Sequence, residues 1–182
     1  MPNYFYNLSF FSFFFIQTLA TFELSAIVNS MDVNVINAFL TAGMDVFSHM
    51  FGIECTHNEP YLMDIRIGHQ WEVSGLLGIT GECKGVVAFR LHKNLSKKML
   101  ERSGIYCKPE EADDMACDLV SEFTNTISGN AISKIKDKDL DISPPLTISG
   151  PNHSISWPKT SPVIAIPFST QYGPFEVDVC FK

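Results

Sequence analysis

Residues 161–181, SPVIAIPFSTQYGPFEVDVCF, contain the clearest fold signal in this chain of 182 residues. Apolar residues alternate in VIAIPF and again in FEVDVCF, and the turn-forming run STQYGP separates the two segments. Alternation with a period of two indicates a β-strand, and a short link containing glycine joins two strands into a hairpin. We therefore predict a C-terminal hairpin whose second strand places Phe175, Val177, Val179 and Phe181 on one face.

Further strands are predicted upstream of this hairpin. Glu72 to Thr80 and VVAFRL at 86–91 are separated by a turn at 81–85, which predicts a second hairpin. Shorter extended segments are predicted at 61–67, at LTIS (146–149) and at HSISW (153–157).

Helical periodicity occupies the remaining stretches. Apolar residues recur every three or four positions from Asp32 to Phe51, and a shorter helix is predicted from Leu95 to Ser103. Pro109 and an acidic first turn predict the start of a long helix over about 110–136. Helices and strands do not alternate regularly, so we expect an α+β fold with a mainly antiparallel sheet. No internal repeat is visible beyond a loose echo, in which each helical stretch precedes paired strands.

Composition limits the classes of function. Hydrophobic residues make up 46% and charged residues 18%, as in a globular protein, and the length suits one main domain. The net charge of −7 disfavours binding to nucleic acid, because an acidic surface repels phosphates. Five cysteines and five histidines are scattered, without zinc-ligand spacing or a nucleophile signature. These features indicate reduced thiols in the cytoplasm, with a protein or small molecule as partner.

The first 30 residues have a different composition, rich in phenylalanine and without lysine or arginine. A secretory signal needs a basic start, and Gln17 and Glu23 interrupt a spanning helix, so a membrane location is not expected. We interpret 1–30 as an apolar extension from a mis-assigned start, with the functional domain at 31–182. An uncleaved membrane anchor and a family-specific apolar arm are the alternatives.

The long predicted helix contains SEFTNTISGNA at 121–131. At about 100° per residue, its apolar residues share one arc, while Asp118, Glu122, Asn125 and Gly129 share the opposite arc with Asp114. A polar face is ordinary for a helix, and Glu-x-x-Asn spacing is common by chance. Asparagine and glycine, however, each cost about 0.5 to 1 kcal/mol in an exposed helix interior relative to alanine. The face is therefore a candidate for docking against a partner's active site.

These residues and the two hairpins together resemble the CheC/CheX/FliY family of phosphatases that act on the chemotaxis response regulator CheY. The family's long helix has the pattern Glu-x-x-Asn with small residues one turn later, as at Glu122, Asn125 and Gly129. GLLGITGECKGVVAFRL resembles the family's first hairpin, and SPVIAIPFSTQYGPFEVDVCF resembles its last. The first helix has Asn34-Val35-Ile36-Asn37 with no acid three residues before Asn37, so the resemblance is greatest to the single-site CheX branch.

The resemblance implies hydrolysis of the aspartyl-phosphate on a phosphorylated CheY-type response regulator. Asn125 would orient the attacking water and Glu122 would bind the receiver's lysine, while Asp118 and Gly129 are assigned to the docking surface. No cofactor is expected on this chain, since Mg²⁺ would be held by the receiver's own acidic residues.

The resemblance also implies a homodimer that pairs through its sheets. Two other functions stay open at this point. The same helix face could serve a non-catalytic module that binds a response regulator, which would not turn over the phosphoprotein. A structural role at the flagellar switch is the other alternative, although the chain lacks the extra segments expected for ring assembly.

Overall fold

A computed structural model describes residues 33–136, 138–151, 153–159 and 161–182. The interpretation of residues 1–30 lies outside these ranges and stays a prediction. The helices are α1 (Val33–Phe51), α2 (Lys93–Ser103) and α3 (Ala112–Lys134), the last preceded by a 3-10 turn at Pro109–Glu111. The strands are β1 (Cys55–His57), β2 (Tyr61–Leu62), β3 (Val73–Gly81), β4 (Gly85–Leu91), β5 (Leu140–Ile142), β6 (Leu146–Ser149), β7 (Val163–Thr170) and β8 (Gly173–Phe181).

All of these strands belong to one antiparallel sheet. Its order is β1-β7-β8-β4-β3-β5, with β2 also pairing with β7 and β6 also pairing with β3. The two predicted hairpins, β3–β4 and β7–β8, therefore form the long centre of the sheet, and short strands line both edges. The predicted α+β class with a mainly antiparallel sheet is confirmed.

The strand order reveals a twofold repeat. The first half of the chain supplies α1, β1, β2 and the β3–β4 hairpin, and the second supplies α3, β5, β6 and the β7–β8 hairpin. Each pair of short strands joins the hairpin of the other half, while β4 and β8 pair at the centre. Neither half can complete its sheet alone. The weak repeat seen in the sequence, in which each helical stretch precedes paired strands, is thus a structural repeat whose halves exchange strands.

Aromatic side chains fill the core between the sheet and the helices. The Phe175 ring stacks at 4.6 Å on both Phe47 and Phe168, and Phe89 lies 4.7 Å from Phe123 of α3. All five rings are almost completely inaccessible to solvent. Burying each such side chain contributes about 1.5 to 3 kcal/mol, so this cluster holds α1 and α3 against one face of the sheet.

Helix α3 is fixed at its N-terminus and by a close approach to the sheet. The Glu111 side chain accepts a hydrogen bond from the Lys108 backbone N–H at 3.3 Å, which stabilises the start of the helix. A Cβ atom on Gly75 of β3 would lie 2.0 Å from the Thr124 hydroxyl oxygen. Only glycine allows α3 to approach the strand this closely.

Two strand predictions are wrong: one strand is shorter than predicted, and the other does not form. Only Tyr61–Leu62 of the 61–67 segment is a strand, because the Asp64 carboxylate and carbonyl accept hydrogen bonds from the backbone N–H groups of Arg66 and Ile67, turning the chain. HSISW at 153–157 forms no strand, since β5 and β6 already occupy the free edge of β3. Its Trp157 packs instead against the sheet face opposite the helices. The three-residue strands β1 and β5 were not predicted, because they are too short to show alternation.

Candidate functional site

The four predicted site residues lie in one row along α3, which we call the outward stripe: Asp118, Glu122, Asn125 and Gly129. Asp118 and Glu122 are exposed, and Asn125 and Gly129 are partly exposed. The opposite face of the helix, with Phe123 fully buried, packs into the aromatic core. The prediction that these residues point away from the core is confirmed.

The acid and the amide of the stripe have no side-chain partner within the described part of the chain. Neither the Glu122 carboxylate nor the Asn125 amide forms a hydrogen bond or an ion pair there. Asp113, in the first turn of the same helix, differs, because its carboxylate binds the ammonium groups of Lys93 at 2.6 Å and Lys97 at 3.1 Å. The hydrogen bond from Lys93 lowers the pKa of Asp113. Glu122 and Asn125 are thus available to an external partner.

The backbone beneath the stripe is held rigidly. The Thr124 hydroxyl, which is buried, donates to the Val120 carbonyl at 2.7 Å, and the Thr126 hydroxyl donates to the Glu122 carbonyl at 2.9 Å. Because both residues neighbour Asn125 in a helix anchored on the sheet, the position of the amide is set before any partner arrives. Positioning of this kind is what an orienting group requires.

Gly129 is not required by the packing of the fold. A Cβ atom at this position would meet only the Ile142 side chain, at 3.9 Å, which is an ordinary contact. The residue also lies inside α3, where glycine costs about 1 kcal/mol relative to alanine. Internal structure therefore gives no reason for glycine here, in contrast to Gly75.

A groove between α1 and α3 borders the stripe and was missed by sequence reasoning. It has a volume of about 330 Å³, with Val46 and Met50 among its apolar residues and Thr126 and Asn130 on the α3 side. Lys134 of α3 binds Asp45 of α1 at 3.2 Å across it. No sequence signal could have located the groove, because it depends on which helix packs beside α3.

No group of three or more histidine, cysteine, aspartate or glutamate side chains among the described residues is arranged to hold a metal ion. None of the described helices has the length and hydropathy needed to span a membrane. All five cysteines, each in a described position, are free thiols.

Solved structures of similar sequence share this fold. A CheC-like superfamily protein from Shewanella sp. PV-4 is 31% identical, with 84% of this chain and 99% of that chain covered and a TM-score of 0.75. The chemotaxis protein CheX from Desulfovibrio desulfuricans is 32% identical, with 81% and 99% covered and a TM-score of 0.74. CheX of Borrelia burgdorferi, solved as a CheX–CheY–BeF3–Mg²⁺ complex, is 26% identical, with 81% and 97% covered and a TM-score of 0.69.

The family comparison agrees with the structural one. No curated protein matches the chain. The family model described as chemotaxis phosphatase CheX matches residues 73–169, which run from the first residue of β3 into β7 and include all of α3 with the outward stripe. This protein therefore belongs to the chemotaxis phosphatase CheX family.

Proposed function

We propose that this chain hydrolyses the aspartyl-phosphate of a CheY-type response regulator by laying the outward stripe of α3 against the receiver's active site. The observation that supports this most directly is the pair Glu122 and Asn125. Both are accessible and have no partner among the described residues, on a helix whose other face is locked into the core. Membership of the CheX family and the complex of the Borrelia relative with CheY support the choice of partner.

Asn125 is proposed to orient the attacking water. A carboxamide both donates and accepts hydrogen bonds, so it can hold a water molecule in line with the phosphorus–oxygen bond that breaks without acting as a base. Phosphoryl transfer depends mainly on positioning and on electrostatic stabilisation, with little covalent chemistry required from the catalyst. A single amide on a rigid helix is therefore chemically sufficient for this role.

Glu122 is proposed to bind the receiver's lysine. It precedes Asn125 by one helical turn, so its carboxylate and the amide project from neighbouring positions on the same face. A charge-assisted contact from carboxylate to ammonium would fix the register of the two proteins as well as contributing affinity. Asp118, one turn earlier, would extend the acidic contact, and Gly129, one turn later, would let the receiver approach the helix backbone.

The magnesium ion is proposed to reside on the receiver, held by that domain's acidic residues. The stripe contributes the carboxylates of Asp118 and Glu122 and the amide of Asn125 to the interface, and it is assigned no metal ligand in this scheme. The proposed roles of this chain are thus to bind the receiver's lysine, to orient the attacking water and to let the receiver approach the helix.

The test is phosphate release from phosphorylated receiver domains of the source organism, with catalytic amounts of this chain. Asn125→Ala is expected to lower the accelerated rate at least about 100-fold, a typical effect of removing one positioned hydrogen-bonding group. Asn130→Ala is the matched control, because it removes an exposed amide from the same helix outside the stripe. Full activity of Asn125→Ala with every receiver tried would contradict the mechanism.

The same assay separates catalysis from binding alone. A non-catalytic module would protect or titrate the phosphoprotein only in stoichiometric amounts, whereas a phosphatase acts on many equivalents. Turnover by the wild-type chain would exclude the binding-module alternative.

We also propose that the chain acts as a homodimer in the cytoplasm. The C-terminal hairpin does not supply a long free edge for pairing, because β8 lies between β4 and β7, and β1 and β2 line β7. Sheet-to-sheet pairing would thus use the short edge strands. Sedimentation of the native protein measures the oligomeric state.

A further inference from the structure

The sheet face opposite the helices contains a buried cluster of charges that the proposed phosphatase mechanism does not use. Strand residues alternate between faces, so Arg90, next to the core residue Phe89, points away from α3. Glu176 and Asp178 of β8 lie on the same face, directly across from Arg90 and Ala88. Arg90 is 3% exposed, Glu176 4% and Asp178 0%. Such residues are rarely so deeply buried.

The two carboxyl groups occupy one side of the guanidinium. Arg90 Nη2 donates to Glu176 Oε1 at 2.5 Å, and Arg90 Nε forms an ion pair with Asp178. The Tyr61 hydroxyl donates to the other Glu176 oxygen at 2.7 Å. Burial raises the pKa of Asp178 well above its usual value.

Two adjoining cavities, of about 300 and 230 Å³, open above this cluster. Both are lined by Met63, Ile67, His69 and Arg90, and Trp157 adds an aromatic wall to the larger one. We call them together the back-face cavity. Its size is at the lower end of the range for small-molecule sites, and its apolar walls with a few polar groups at the base are typical of such sites.

Two histidines at the base are held in defined tautomers by their hydrogen bonds. His69 Nδ1 accepts the Trp71 backbone N–H at 3.2 Å, so the proton of the neutral ring is on Nε2. His69 Nε2 is buried without a partner. His153 Nδ1 donates to the Gly150 carbonyl at 2.8 Å, and its Nε2 accepts the Ser74 hydroxyl at 2.7 Å. Burial lowers the pKa of His69, which keeps this ring neutral and leaves its Nε2–H as an unused donor.

Among the polar atoms of the residues that line the cavity, those left without a partner are donors; the unpartnered Asp178 oxygens belong to a residue that lines neither cavity. Both Glu176 oxygens are engaged, whereas the His69 Nε2–H and the Arg90 Nη1 group make no hydrogen bond with any described residue. The guanidinium of Arg66 also lines the larger cavity, and its Nε and Nη2 donate to the Asp64 carboxylate at 2.8 and 2.7 Å. A ligand that supplies acceptor atoms and negative charge complements this set, and one that supplies only donors does not.

The rim of the cavity includes exposed apolar side chains. Ile67 is 72% exposed and Ile65 is 47% exposed, although both are large aliphatic residues. Exposed apolar side chains around a concave site commonly mark a binding surface. The tail of a ligand would therefore meet aliphatic and aromatic groups while its head met the donors at the base.

We propose that the back-face cavity binds a small organic carboxylate, with the carboxylate at Arg90 and the His69 Nε2–H and the apolar part against Met63, Ile67 and Trp157. The site lies on the opposite face of the sheet from the outward stripe. Its occupancy is thus separate from the proposed phosphatase chemistry.

The probe for this site is phenylacetate, whose about ten heavy atoms suit a cavity of this size. Amide and indole NMR shifts of the full chain are followed during titration with phenylacetate and, in parallel, with 2-phenylethylamine. Saturable shifts of Gly68 and the tryptophan indoles are expected with the carboxylate and not with the amine. Absence of saturation with phenylacetate, or equal binding of the amine, would overturn the proposal.

Two variants locate the binding. His69→Phe preserves the ring and removes the donor, and we expect at least a tenfold weaker affinity for phenylacetate. Gly68→Trp places a large side chain at the rim, where a Cβ meets no atom within 4 Å, and should block binding without disturbing the sheet. Either folded variant retaining wild-type affinity would refute the assigned site. Both should release phosphate from the receiver at the wild-type rate.

Discussion

The two halves of the chain have the same architecture but differ in the helix face they present. Placing Thr41 of α1 opposite Glu122 of α3 aligns the exposed and buried positions of the two helices almost residue by residue. Met44 then stands opposite Asn125, and Ser48 opposite Gly129. Threonine and methionine can neither bind a lysine ionically nor orient a water through an amide. The repeat thus supplies two similar scaffolds, and only the second has candidate catalytic side chains.

In both halves, a glycine makes room where the helix approaches the sheet. The glycine is on the strand in one half and on the helix in the other. In the second half, Gly75 on the strand makes room for Thr124 on the helix. In the first half, the glycine is on the helix, where a Cβ on Gly43 would lie 2.9 Å from the Phe168 ring of β7. Gly43 stands opposite Thr124 in the helix alignment. Each helix therefore approaches the sheet at a glycine, and the larger side chain of its partner fills the space beside that glycine.

The strongest test of the functional difference between the helices replaces the α3 pair with the α1 pair. Glu122→Thr with Asn125→Met should lower phosphate release at least about 100-fold. The free energy of unfolding should change by less than about 1 kcal/mol, because both side chains point outward. The matched change on α1, Thr41→Ala with Met44→Ala, should leave the rate within about twofold. Equal losses from both helices would show that the halves do not differ in the proposed way.

The packing comparison is tested at the close approach of α3 to β3. Gly75→Ala should destabilise the protein by about 3 kcal/mol, measured by urea unfolding, since its Cβ would overlap the Thr124 hydroxyl. Adding Thr124→Gly transfers the arrangement of the first half and should restore at least about 1 kcal/mol. If the double variant were less stable than the single one, the two contacts would not be equivalent.

Substitutions of Gly129 test whether this residue serves docking of the receiver or stability of the fold. Gly129→Ala should raise the free energy of unfolding by up to about 1 kcal/mol, because the site has space and helices favour alanine. Gly129→Leu should remain folded but raise the KM for the phosphorylated receiver about tenfold, with kcat less affected. Ser48→Leu on α1 is the control and should leave KM unchanged. An unaltered KM in Gly129→Leu would remove Gly129 from the docking surface.

The smallest expected effect concerns the ion pair that links the two helices. Lys134→Met breaks the contact with Asp45 and should cost about 0.5 kcal/mol at low ionic strength, since both side chains are largely exposed. This loss of stability should vanish near 1 M salt, because at roughly that concentration exposed charges are screened within a few ångströms. Lys136→Met removes an equal charge without breaking this contact. Identical salt dependence in both variants would indicate a general charge effect.

Much of the fold could be predicted from local pattern. Alternation located both hairpins, the three-and-four spacing located the first helix, and Pro109 with the acidic first turn located the long helix, whose buried and outward faces were also predicted. The outward stripe was found because its polar residues share one helical period, and its asparagine and glycine were unusual choices for a solvated face. Short strands such as β1 and β5 were missed, since three residues do not establish a period. Apolar and polar residues alternate at 153–157 as in a strand, but β5 and β6 already occupy the edge of β3 that this segment could have joined.

The sequence by itself determined the two hairpins, the helices, the outward and buried faces of the long helix and the resemblance that identified the outward stripe. Those properties depend on residues within one or two turns of each other, where covalent geometry fixes the spacing. Only the tertiary structure decided which half each short strand joins, why Gly75 is a glycine while Gly129 need not be, and where the back-face cavity lies. Each of those depends on contacts between residues distant in sequence, such as Gly75 with Thr124 or Arg90 with Glu176, and sheet order and packing alone bring them together.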